Sequence, residues 1–177
     1  VLVGQGFGAA LAIVLAARRP VERVVAINGP RISSQHEVHR RFARAEWRQI
    51  SAPSDAKWRA ERTARLRQQV TREAQRVALQ AMIEDTPRSA AMRYAVEATA
   101  FDWSASAPEV ASPIDFVIGS GAFGDVDPTG REVSRALWER LASEFPTSTT
   151  TFLRNARHFV AWDDPAAIES LIEPHLR

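Results

Sequence analysis

The order of apolar patterns along the chain predicts an α/β fold: a parallel sheet flanked by helices, with a long helical insertion between two of its strands. Three observations carry this. Residues 1–3 (V-L-V) run into a glycine-punctuated turn, Gly4-Gln5-Gly6-Phe7-Gly8, and then into an Ala/Leu-rich stretch ending at Arg18. A β-branched run at 23–28 (R-V-V-A-I-N) follows closely, so the opening segment reads as strand, helix, strand, which implies parallel strands and a right-handed crossover. Strand signals then vanish between 31 and 100 and return only at 114–118 and 149–153.

Each element has its local reason. Residues 1–3 are apolar β-formers, and the glycines after them suit a sharp strand-to-helix turn in which one residue takes positive φ. The helix over 7–18 stops at Arg18-Arg19-Pro20, where positive charge meets a breaker. The second strand is closed by Gly29-Pro30. From 31 to 100, Ala, Arg, Gln and Glu dominate, and Trp58, Leu66, Val70, Val77, Leu79, Met82 and Ile83 recur at helical spacing. Three to five helices are expected there, with breaks near 51–54 and at Asp85-Thr86-Pro87. Such a stretch is too long for a plain crossover and reads as an insertion.

A connector over 101–113 brings the chain back to a third strand at 114–118 (I-D-F-V-I), ending at Gly119-Ser120-Gly121. A loop with Asp125, Asp127 and Pro128 leads to an amphipathic helix over 131–145 and a fourth strand at 149–153. A loop over 154–164 carries His158, and Pro165 opens a terminal helix expected over 165–176. The domain reading is therefore a partial core made of 1–30 and 101–177, with 31–100 inserted.

Composition narrows the classes of function. The 177 residues allow one core, and 45% hydrophobic with 25% charged residues is ordinary for a globular domain. There is no cysteine, which excludes disulfides and thiolate metal sites. The apolar run at 7–17 is too short to span a bilayer, and no leader-like segment is visible, so no membrane partner is expected and the cytoplasm is the default compartment. Positive charge is almost all arginine, Lys57 being the single lysine, and the arginines alternate with Glu and Ala at helical spacing. That is a solvated helical face rather than a nucleic-acid surface. The glycine run lacks the G-x-G-x-x-G spacing and the acidic residue of a dinucleotide site, Asn28 standing where that acid would be, so no cofactor is expected. His36 and His39 share a helical spacing but have no third ligand in view, and no metal is expected; His175 has no motif around it.

Four segments taken in order, V-L-V-G-Q-G-F-G-A-A, R-V-V-A-I-N-G-P, F-D-W…S-P-I-D-F-V-I-G and N-A-R-H-F-V-A-W-D-D-P, resemble the α/β-hydrolase superfamily from its nucleophile elbow onward. The resemblance covers the whole chain. It implies that Gly6 stands at the nucleophile position of G-x-S-x-G, that His158 is the general base, and that Asp125, or else Asp127, is the acid behind it. The usual G-x-x-D spacing would put that acid at Ala122. The backbone N–H of Phe7 would be an oxyanion donor, and Gln5 and Phe7 would border the substrate. The insertion falls where that superfamily places its helical cap, over a small-molecule substrate or ligand. Strands that precede the elbow in that superfamily are absent from this chain, so a missing N-terminal half or another chain is expected to complete the sheet. Glycine cannot attack a carbonyl; activity as sequenced is therefore impaired or altered. The non-enzymatic N-myc-downstream-regulated family resembles this chain in carrying glycine at that position, which keeps a non-catalytic scaffold open beside a hydrolase.

Overall fold

The computed structural model describes residues 1–29, 54–101, 103–120 and 128–176. Its centre is a four-stranded sheet in the order β1-β2-β3-β4, with β1 at Leu2–Gln5, β2 at Val24–Ile27, β3 at Ile114–Gly119 and β4 at Ser148–Leu153. Every pairing is parallel, with Leu2 opposite Val24, Val24 opposite Ile114 and Ile114 opposite Ser148. Parallel strands are normally covered on both faces, and β2 and β3 are buried along their whole lengths.

The two faces divide by strand alternation. Val24, Ala26, Ile114, Phe116 and Ile118 face one way, into a core with Ala9 and Ile13 of α1 (Phe7–Arg18). Leu141 and Phe145 complete that core near the end of the Pro128–Ala142 helix. Val25, Ile27 and Val117 face the other way, against Ala156, Val160 and Ile168. α1 lies close to β1 because residue 4 is glycine: a Cβ there would stand 2.2 Å from the Gly8 carbonyl oxygen. At the far end of the sheet, Asp115 is buried and held by Arg23 (2.8 Å) and by the Thr149 hydroxyl (2.6 Å).

Between β2 and β3 the described residues are helical: α2 (Asp55–Ala64), α3 (Leu66–Gln69), α4 (Glu73–Asp85) and α5 (Arg88–Ala100). No strand is found among the described residues of the insertion. The break at Asp85-Thr86-Pro87 falls as its sequence predicts; the one near 51–54 lies, except for Ser54, outside the described residues. Ser54 caps α2, its hydroxyl accepting from the Lys57 N–H. Trp58, Leu66, Val70 and Leu79 are buried, whereas Val77 and Met82 are 61% and 58% exposed. Helical periodicity marks which residues share a stripe but not how much of that stripe a neighbour covers.

The helix after β3 is α6 (Pro128–Ala142), and the chain ends in α7 (Val160–Asp163), α8 (Pro165–Ile172) and a 3₁₀ turn at Glu173–His175. The terminal helix expected to continue to 176 thus tightens after Ile172. The short α7 falls inside what reads in sequence as loop. His175 Nδ1 lies 2.7 Å from Glu22 Oε1, tying the C-terminal turn to the connection before β2.

Several arginines among the described residues of the insertion are engaged within the chain. The Arg59 guanidinium donates to the carbonyls of Ile83 and Glu84 at the end of α4, Arg88 pairs with Asp55, and Arg76 pairs with Glu73. Arg59 and Arg62 also lie over the Trp58 ring.

Candidate functional site

The chain reverses direction at Gly6, between β1 and α1, with φ 57° and ψ −117°. A side-chain-bearing residue reaches this region only under strain. The Gly6 N–H donates to the Ile27 carbonyl (2.9 Å), so the elbow is fixed to the end of β2. A Cβ built on Gly6 meets nothing within 4 Å. A side chain here would carry backbone strain but would meet no steric bar.

Phe7 opens α1, where the first backbone N–H groups have no acceptor within the helix. Its ring packs edge-on against Tyr94 of α5 and against Phe101, at centroid distances of 5.8 and 5.2 Å. The elbow is therefore roofed by aromatics from the insertion and its return connector.

His158 lies in the loop after β4, half-buried, with its ring edge-on to Phe159 at 5.1 Å. That loop is bound to the elbow: Gln5 Nε2 donates to the His158 carbonyl (3.2 Å). Asn28, which follows β2 at φ 43°, donates from Nδ2 to the carbonyls of Arg157 (2.9 Å) and His158 (2.8 Å). Its Oδ1 accepts from the Gly119 N–H at the end of β3 (2.9 Å). Thus Gln5, Gly6, Phe7 and His158 gather at the C-terminal end of the sheet, where parallel α/β sheets bind their ligands. Asp125 and Asp127, with Ala122, lie outside the described residues, as do Asp102, His36, His39 and Trp47.

The insertion grips the same loop from the other side. Asp163 Oδ2 accepts from the Arg157 N–H (2.7 Å), while its Oδ1 accepts from the N–H and hydroxyl of Thr71 (2.9 and 2.7 Å). The Phe159 N–H donates to the Gln69 carbonyl, and Gln75 Nε2 donates to the Trp162 carbonyl. Phe159 and Ile83 pack on a small apolar cluster of Leu66, Val70 and Leu79. Asp164, its neighbour, caps α8 through the Ala167 N–H. Of the acidic pair in D-D-P, one residue serves a helix and the other bridges the insertion to the histidine loop.

Asn28 and Asp163 are the residues of this arrangement that sequence reading misses. Both bond mainly to backbone distant in sequence, which leaves no pattern in residue types. The only signal for Asn28 is a polar residue closing a fully apolar strand just before Gly29-Pro30. Among the described residues, no group of His, Asp and Glu could hold a metal, and no helix is long and apolar enough to cross a membrane.

No protein-family model matches the chain, and no curated protein does. Solved structures do. A hydrolase from Pseudomonas aeruginosa PA01 superposes with a TM-score of 0.65 at 18% identity, covering 97% of this chain and 62% of that one. An esterase from Exiguobacterium antarcticum does so at 0.68 and 12%, covering 97% and 65%. An enol-lactonase from Burkholderia xenovorans LB400 gives 0.61 at 19%, covering 97% and 63%. At such identities the likeness is one of fold, and the fold is that of the α/β-hydrolases. The chain spans less than two thirds of each of these structures.

Proposed function

We propose that this chain is the part of an α/β-hydrolase-type protein from the nucleophile elbow onward, acting on an ester or similar small substrate beneath the insertion, which serves as a helical cap. The observation carrying this is Gly6: it keeps the elbow conformation, has open space where a side chain would project, and adjoins the loop bearing His158. In this reading His158 is the base, Asp125 (or Asp127) orients it, and the Phe7 N–H donates to the developing oxyanion. Gln5, expected at the substrate, contributes through Nε2 by holding the His158 loop. As the sequence stands, His158 can at most activate water, because no side chain at residue 6 can attack.

A second reading, a non-catalytic scaffold or ligand-binding protein, is favoured by the same glycine. One substitution separates the two. With Gly6→Ser in the complete protein, the hydroxyl oxygen would attack the ester carbonyl and pass its proton to His158. His158 would return that proton to the departing alkoxide, leaving an acyl-serine for water to cleave. Turnover of p-nitrophenyl acetate is expected to exceed the buffer rate by more than about a thousandfold, since an oxyanion hole and binding alone reach that level and the Ser–His pair adds to it; His158→Ala should remove what the pair adds. A folded Gly6→Ser protein with no turnover would leave the scaffold reading standing. The serine itself costs about 1–3 kcal/mol at this φ.

The unpaired side of β1 lies at the edge of the described sheet, and Val3 of β1 and Leu11 and Leu15 of α1 are exposed. We infer that a further strand, from a longer form of this chain or from another chain, pairs there.

A further inference from the structure

We propose that Asn28 is a positioning residue for His158, setting where the imidazole stands relative to the elbow; this rests on the hydrolase-type reading of the site.

The carboxamide of Asn28 is used at both ends. Nδ2 meets two carbonyl oxygens and Oδ1 meets one N–H, so the partners themselves decide which end is nitrogen. Asn28 is 6% exposed, which makes each of these bonds costly to leave unmade. Its own backbone is committed as well, its N–H donating to the Val117 carbonyl on β3 (2.9 Å). The residue accepts positive φ, a conformation that asparagine tolerates better than most.

What separates this from general support of a loop is where the bonds converge. The His158 carbonyl accepts from Asn28 at 2.8 Å and from Gln5 at 3.2 Å. Two donors on this carbonyl fix the peptide plane after His158, the Asn28 bond to the Arg157 carbonyl fixes the plane before it, and the two planes together set the Cα–Cβ direction from which the ring projects. One donor comes from the residue immediately before Gly6, the other from the residue after the strand that binds the Gly6 N–H. Elbow and histidine are thereby held in register through the His158 carbonyl. The loop cannot shift toward β3, because even a Cβ on Gly119 would stand 2.0 Å from the Arg157 carbonyl oxygen.

The test uses the complete protein and two variants. Asn28→Gly suits positive φ and deletes the carboxamide; Asn28→Asp keeps the shape and the acceptor for Gly119 but loses both donations. The first readout is the His158 ring Cε1–Hε1 resonance and its titration midpoint by NMR. Both should move in either folded variant, while the ring resonance of His175, bonded to Glu22, stays put. The second adds each variant to Gly6→Ser: kcat for p-nitrophenyl acetate should fall about 10- to 100-fold with KM within about threefold, as expected for a small misplacement of a catalytic group. If Gly6→Ser is itself inactive, the hydrolase reading fails and the NMR readout still decides on Asn28. An unmoved His158 resonance and midpoint in a folded variant overturns the proposal. So does unfolding of both variants, which would make Asn28 a structural tie.

Discussion

Every residue of β2 and β3 is buried, whereas among the described side chains of the insertion only Trp58, Leu66, Val70, Leu79 and Ala95 are. Val77, Met82, Tyr94 and Val96 of the insertion stand at least 40% exposed. The sheet is held by apolar cores on both faces; the insertion is held by a small cluster, arginine bonds among its own helices, and hydrogen bonds to the histidine loop. Regions with few buried apolar contacts open at lower free energy than the core. The insertion should therefore loosen before the sheet does, and among the described residues it is tied by hydrogen bonds to the loop that carries His158.

The largest expected effect tests the sheet. Phe116→Ala removes a fully buried ring that packs near Trp138 and Phe145. It should cost about 3–5 kcal/mol, and a thermal melt should show sheet and insertion lost together. A melt in which the insertion stays protected would break the comparison.

Leu79→Ala strikes the cluster beneath the insertion and should cost about 2 kcal/mol, the low end for a buried leucine, because the cluster is small. Hydrogen exchange should rise in α3, α4 and the loop at 157–163 while β2 and β3 keep their protection. Uniform loss across both regions would show that insertion and sheet open as one unit.

The smallest effect on stability belongs to the edge. Val3→Lys, at a residue 47% exposed, should change stability by no more than about 0.5 kcal/mol. It should nevertheless reduce self-association of the 177-residue chain in size-exclusion chromatography, since charge on an open edge strand opposes pairing. A chain already monomeric without the substitution would count against the unpaired-edge inference.

Much of this fold is legible in the sequence because its signals are local. Fully buried parallel strands read as continuous apolar runs, and V-V-A-I and I-D-F-V-I do so, apart from Asp115, whose burial depends on Arg23 and Thr149. The elbow is legible because its glycines answer to steric demands within a few residues. Of the candidate site, the sequence points to Gly6 and His158 through the motifs around them. It does not reveal how the two are registered, because Gln5 and Asn28 act on backbone carbonyls more than a hundred positions away. Nor does it separate the two aspartates of D-D-P, whose different partners are chosen by the three-dimensional path of the loop.

The spacing of β2 and β3 along the chain has a consequence for variation. β2 ends at Ile27 and β3 begins at Ile114, yet the strands are hydrogen-bonded neighbours. Closing such a loop costs entropy that grows only with the logarithm of its length, so compared with a crossover of about a dozen residues the penalty is about 2 kcal/mol. Doubling the insertion would add about 0.6 kcal/mol more. The polymer physics of this connection leaves its length and sequence nearly free to change while strand pairing stays as it is. Among the described residues, such change is limited by the bonds from Gln69, Thr71 and Gln75 to the loop at 157–163 and by the packing of Tyr94 on Phe7, which any replacement segment would have to reproduce.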